Sequence, residues 1–181
     1  MKDLRSLPPM DERFLVFGGL FLLSNRLETF GDSFLEELTS KQWFLMMTLV
    51  HFFEQPPTLG ELASQMGCSR QNVKQLSLKL EDKGFLRLEK DSADGRVLRL
   101  IPTERFQSYS ARRETEQYDF IDRFFGALGP ERISQFNSTL QALYDHLLAI
   151  EQACNAPENP TKKGGAALRT PGNETADGPN P

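Results

Sequence analysis

A mainly α fold with one short β-hairpin is predicted by three features of the 181-residue chain. A short helix, a Gly67-Cys68-Ser69 turn and a second helix follow one another at helix-turn-helix spacing. Directly behind them the apolar period drops from about 3.6 to 2 on either side of an Asp94-Gly95 turn. Strongly apolar helical segments lie towards both ends, one near Phe14, Phe17 and Phe21, the other carrying a heptad seam. Together these describe a winged helix-turn-helix with a two-stranded wing and N- and C-terminal dimerisation helices.

The elements follow in order. Residues 10–30 form a first helix, strongly apolar on one stripe. Its run at residues 14–23 is shorter than the ~20 residues that cross a bilayer. Asp11 and Glu12 stand where a signal peptide needs cations. A subunit interface is the better reading, with no membrane contact.

Thr39 and Gln42 form a capping box that opens a second helix, with Trp43, Met46, Met47 and Val50 expected on its apolar face and Pro56-Pro57 at its end. Thr58 and Glu61 form another capping box, opening the helix that Gly67 stops. Ser69 caps the next helix, which Gly84 closes. After the hairpin, Thr103 is expected to cap one long helix running through Phe106, Tyr109, Phe120 and Phe124. Gly129-Pro130 breaks it and starts a last helix, where Ile133, Phe136, Leu140, Leu143, Leu147 and Ile150 make the seam. Residues 155–181 turn rich in Pro, Gly, Asn and charge and read as a disordered tail.

Charge is distributed against the global balance of −4. Residues 58–105 hold nine Lys/Arg against seven Asp/Glu, while residues 1–40 and 106–154 each hold four against seven. The positive charge sits where the helix-turn-helix and wing lie, a modest net of +2 that fits a phosphate-binding face on an acidic protein and equally a solvated surface.

The second helix of the pair shows its working face. Val73, Leu76 and Leu80 centre the buried side, and Gln71, Gln75 and Leu78 the opposite side. Glutamine can pair with adenine in the major groove, and an exposed leucine can meet a thymine methyl. Arg70, Lys74 and Lys79 suit phosphates, and Ser69 and Asn72 stand at the helix start. On the hairpin, Arg96 suits a minor groove, with Asp94 placed to hold its guanidinium in a bidentate pair. Asp94-Gly95 also satisfies ordinary hairpin geometry.

The segment from LTSKQWFLMMTLV through TLGELASQMGCSRQNVKQLSLKLEDKGFLRLEKDSADGRVLRL resembles the MarR family of winged helix-turn-helix transcriptional regulators. The resemblance extends over residues 10–152. It implies dimerisation helices at 10–36 and 103–152, a DNA-binding unit at 39–102, and a homodimer on a pseudo-palindromic double-stranded DNA site. It also implies a minor-groove role for Arg96, major-groove reading by residues 69–83, and a ligand-responsive repressor acting in the cytoplasm. The chain departs from the family where members often continue the second strand with Leu-Thr and soon a glycine: here stand Ile101-Pro102-Thr103 and then Glu104-Arg105-Phe106.

Trp43, Met47 and His51, with Phe44 and Phe52, stand for either an effector pocket or core, core being the stronger reading. Cys68 occupies an apolar slot of the turn, which favours a buried structural thiol over a redox sensor. Cys154 lies at the tail boundary with no role assigned. Two histidines, His51 and His146, in no metal or triad spacing, and the lack of a Gly-rich phosphate loop speak against an enzyme and call for no cofactor or metal. A winged helix used for protein contact alone is the remaining alternative, and Arg70, Arg96 and the exposed glutamines argue against it.

Overall fold

A computed structural model describes residues 10–155 of the chain. The expected tail thus lies outside the described residues, apart from Asn155, the last residue of a helix. The described residues divide into two units, one ending at Phe120 and the other beginning at Ile121. Among the described residues no helix is long and apolar enough to cross a membrane.

In the first unit, helix α1 spans Glu12–Phe34 behind an Asp11 cap. Helix α2 (Ser40–His51) opens with the Thr39–Gln42 capping box, both halves formed. It buries Gln42, Leu45, Met46, Thr48 and Leu49, while Val50 is turned out, so the inner stripe lies one step round the helix from the one expected. The helix also stops at His51, five residues before Pro56. The prolines instead bring the chain alongside the hairpin, where the Pro57 carbonyl accepts the Leu100 N–H at 3.0 Å.

Helices α3 (Leu59–Gln65) and α4 (Arg70–Asp82) form the helix-turn-helix. Both end in the same closure. Gly67 (φ +63°) lets Cys68 N–H reach the Ala63 carbonyl at 3.0 Å, and Gly84 (φ +74°) lets Phe85 N–H reach the Leu80 carbonyl at 2.9 Å. These are Schellman closures, which need a left-handed residue that glycine adopts without a Cβ clash. Buried Phe85 against buried Leu80 supplies the apolar contact that accompanies the second.

Strands β1 (Leu86–Lys90) and β2 (Leu98–Pro102) pair antiparallel, with Leu88 opposite Leu100. Their inward residues Leu86 and Leu100 close a core with Leu45, Met46, Leu62, Val73, Leu80 and Phe85, each at most 1% exposed.

The long helix expected after Thr103 is two helices, α5 (Glu104–Arg112) and α6 (Glu114–Phe125). Arg113 breaks it at φ −98°, ψ 4°. Its side chain is buried, donates to the Phe34 carbonyl at 2.9 Å, pairs with Glu36 and Glu116, and lies over the Phe34 ring. These polar partners all meet its two terminal nitrogens, while the buried Nε has no hydrogen-bond partner among the described residues.

The second unit holds the end of α6 and helix α7 (Pro130–Asn155), which starts at Pro130 as expected. Phe136, Leu140, Leu143, Leu147 and Ile150 of its seam are all exposed within the single chain. The same holds in the first unit for α1, which buries no residue and exposes Phe14, Phe17 and Phe21.

Candidate nucleic-acid interface

Helix α4 begins where Ser69 Oγ accepts the Asn72 N–H at 3.2 Å. Val73, Ser77 and Leu80 turn inward. Buried Ser77 satisfies its hydroxyl by donating to the Val73 carbonyl at 2.7 Å. This leaves Arg70, Gln71, Asn72, Lys74, Gln75, Leu78 and Lys79 on the exposed face. Leu78 is 48% exposed, an apolar side chain presented outward among polar ones.

The hairpin folds back beside this face. Leu59, Leu98, Arg70, Gln71, Lys74 and Arg96 line one open cleft of about 470 Å³. Two leucines form its apolar lining and three cations surround it, with no carboxylate among the lining residues. Residues 22 to 26 positions apart in sequence thus face one volume. Gln75, Leu78 and Lys79 lie farther along the exposed face, outside that lining. Among the described residues, Arg70, Lys74 and Arg96 form no ion pair, so their charge is directed to whatever enters the cleft.

Asp94 supports the wing in a different way from the one expected. Its carboxylate accepts the Arg96 backbone N–H at 3.0 Å, and among the described residues it forms no ion pair with the guanidinium. The Val97 N–H donates to the Asp94 carbonyl at 2.9 Å and the Asp91 N–H to the Val97 carbonyl at 2.9 Å, closing the tip.

Sequence reasoning missed the residues beneath that tip. Asp91 Oδ1 accepts the N–H groups of Ala93 and Asp94 at 2.8 and 3.0 Å, and Asp91 Oδ2 pairs with the Arg99 guanidinium. Arg99 also donates to the Pro56 carbonyl at 2.7 Å. The Arg99 guanidinium, followed by these two N–H groups, holds the Asp91 carboxyl down at about 2. An Asp at the first position of a turn was the available signal. Its partner eight residues on was not.

Trp43 and Met47 are half-buried along one side of α2, and His51 at its end is exposed. Trp43 packs against the core, and Phe44 and Phe52 project outward. Cys68 is half-buried against the same core, and burial pushes its thiol up from its ordinary value.

A cationic cleft between an exposed helix and a hairpin tip is the signature of the winged helix-turn-helix class. The MarR family model matches residues 38–98, the segment that builds both walls of the cleft. By that match the segment is similar to the MarR family, and by its fold the chain is a winged helix-turn-helix protein.

Solved structures share the fold. A MarR/EmrR family transcriptional regulator from Acinetobacter sp. ADP1 superposes with a TM-score of 0.65 at 14% identity, over 76% of this chain and 98% of that one. The PcaV transcriptional regulator from Streptomyces coelicolor, in complex with its natural ligand, gives 0.64 at 18% identity over 77% and 98%. The S. aureus MepR–DNA complex gives 0.63 at 18% identity over 77% and 99%. No curated protein matches the chain by sequence.

Proposed function

We propose that the chain is a dimeric, sequence-specific DNA-binding transcriptional regulator of the cytoplasm, a repressor that releases DNA when a small molecule binds. The observation that carries the reading is the single cleft that Arg70, Gln71 and Lys74 of α4 share with Arg96 of the wing. A major-groove helix and a minor-groove wing must straddle one sugar–phosphate strand, and a cationic cleft is the shape that admits it.

In this reading Gln71 and Gln75 pair with adenine edges and Leu78 meets a thymine methyl. Arg70, Lys74 and Lys79 take phosphates, Ser69 and Asn72 set the start of the helix against the backbone, and Arg96 enters the minor groove. Asp94 holds the turn from which Arg96 projects. The MepR neighbour was solved with DNA and the PcaV neighbour with its ligand, which supports both parts of the proposal.

Residues 39–102 form the DNA-binding unit and residues 10–36 and 103–152 the dimerisation helices. The exposed apolar stripes of α1 and α7 are too large to leave in water. A two-fold protein reads a two-fold site, so the operator is a pseudo-palindrome with half-sites about one helical turn apart. Trp43, Met47 and His51 are the candidate effector contacts.

The test is an anisotropy titration against the DNA upstream of the protein's own gene, at two salt concentrations. Wild type should bind, and weaken steeply as salt rises. Arg96→Ala should lose roughly tenfold in affinity, and Gln71→Ala should relax base preference. Absence of binding at low salt would refute the proposal.

A further inference from the structure

The wing is bound to the rest of the DNA-binding unit by a contact that the cleft itself does not contain. Arg99 sits on β2, directly behind the tip that carries Arg96. Its guanidinium joins two segments: Asp91, at the start of the hairpin loop, and the Pro56 carbonyl, in the loop that leads from α2 to α3. The backbone reinforces the same seam, with Thr58 bridged to Arg99 and the Leu100 N–H donating to the Pro57 carbonyl. Glu61 adds negative charge near the guanidinium, and its carboxylate closes the capping box of α3 on the Thr58 N–H at 2.7 Å. One cation therefore connects the wing tip, the α2–α3 loop and the first turn of the helix-turn-helix.

Asp91 does a second job at the other end of this connection. One of its oxygens takes Arg99 while the other takes two N–H groups of the loop. Where Arg99 is held, the loop that projects Arg96 is held too.

Resting on the DNA-binding reading above, we infer that Arg99 and Asp91 are positioning residues for that interface: they set the angle of the wing against α4, so that Arg96 meets the minor groove while α4 occupies the major groove. Neither residue needs to touch DNA. A two-stranded hairpin with seven residues between its strands has little stiffness of its own. Its tip can keep a fixed distance from Arg70 and Gln71 only if something outside the pair of strands restrains it. The planar, multi-donor guanidinium can hold a carboxylate and a carbonyl at once, which a lysine ammonium does with less directional control.

The competing account makes Arg99 an ordinary phosphate contact, since its side chain is 37% exposed. The two accounts differ in sign for Asp91→Asn. That change removes a negative charge near DNA, so electrostatics alone would tighten binding. It keeps an amide oxygen for the Ala93 and Asp94 N–H groups but loses the ion pair, so a positioning role weakens binding.

The experiment measures affinity for a duplex enriched by the wild-type protein from a randomised pool, with thermal melts recorded alongside. Asp91→Asn is expected to weaken binding roughly fivefold at unchanged salt dependence. Arg99→Met should weaken it by a similar factor in the wild-type background and by less than twofold when Arg96 is already alanine, because both act through one contact. Asp91→Asn binding as tightly as wild type, or tighter, would overturn the inference. Independent, multiplicative losses from Arg99→Met and Arg96→Ala would overturn it as well. Should Arg99→Met fail to fold, the sign of the Asp91→Asn effect still decides. If the wild type enriches no duplex, the DNA-binding reading falls first and takes the clamp's role with it.

Discussion

The Lys83 ammonium donates to Gln42 Oε1 at 3.0 Å and to the Glu37 carbonyl at 2.6 Å, joining the end of α4 to the start of α2 across the core. Gln42 is 3% exposed, and the same oxygen closes the α2 capping box on the Thr39 N–H at 3.1 Å. The orientation of the exposed α4 face is thus tied to the segment that connects α1 with the winged unit. Replacing Lys83 by Met takes a donor from two part-buried acceptors, of which Gln42 Oε1 keeps the Thr39 N–H, and should cost about 1 kcal/mol. Urea denaturation at neutral pH measures it, with an unchanged m-value showing that the loss is one of stability.

The two glycine closures give a sharper local prediction. At Gly84 an added Cβ would meet only the Arg105 side chain at ordinary contact distance, so crowding is not the obstacle. The obstacle is φ +74°. Gly84→Ala should destabilise by about 1 kcal/mol, and Gly67→Ala, with open space around it and φ +63°, by a similar amount. Thermal melts of the two variants check this. A difference of several-fold between them would mean that packing, and not the backbone, sets the cost.

Acid should act on the wing anchor. Asp91 has its carboxyl lowered from 3.8 to about 2, first by the Arg99 pair. A carboxyl lowered in the folded state contributes stability that is complete above its ordinary value and lost as pH falls through the folded one. The melting temperatures of wild type and Asp91→Asn should therefore differ at neutral pH and converge between about pH 4 and pH 2. A constant gap across that range would show that the ion pair is not what Asp91 contributes.

Association is the next prediction. Phe17 on α1 and Leu143 on α7 are 64% and 47% exposed in the single chain. Phe17→Glu and Leu143→Glu should each shift the protein from dimer to monomer at micromolar concentration, because a charge in an apolar seam costs far more than it costs in water. Sedimentation equilibrium reads this directly. A wild-type monomer would contradict the dimer reading.

The cysteines should differ in reactivity. Cys68 packs against the core and its thiol is raised by burial, while Cys154 is exposed. A thiol reagent at neutral pH should modify Cys154 first and Cys68 only slowly, since the thiolate is the reacting form. Fast modification of Cys68 in the native protein would revive the redox-sensor alternative.

Much of this fold was legible in one dimension because its signals are local. Capping boxes at Thr39 and Thr58, glycine stops at Gly67 and Gly84, the period-two strands and the outward placement of Leu78 each depend on residues a few positions apart. Backbone geometry and side-chain period decide such features before any tertiary contact forms. Three things lay beyond that reach. The inner stripe of α2 depends on which neighbours meet it, and the break at Arg113 depends on Phe34, 79 residues earlier. The anchor of the wing depends on Arg99 reaching Pro56, 43 residues away. Buried or shared charges choose partners by proximity in space, and a sequence lists the candidates without the distances that select among them.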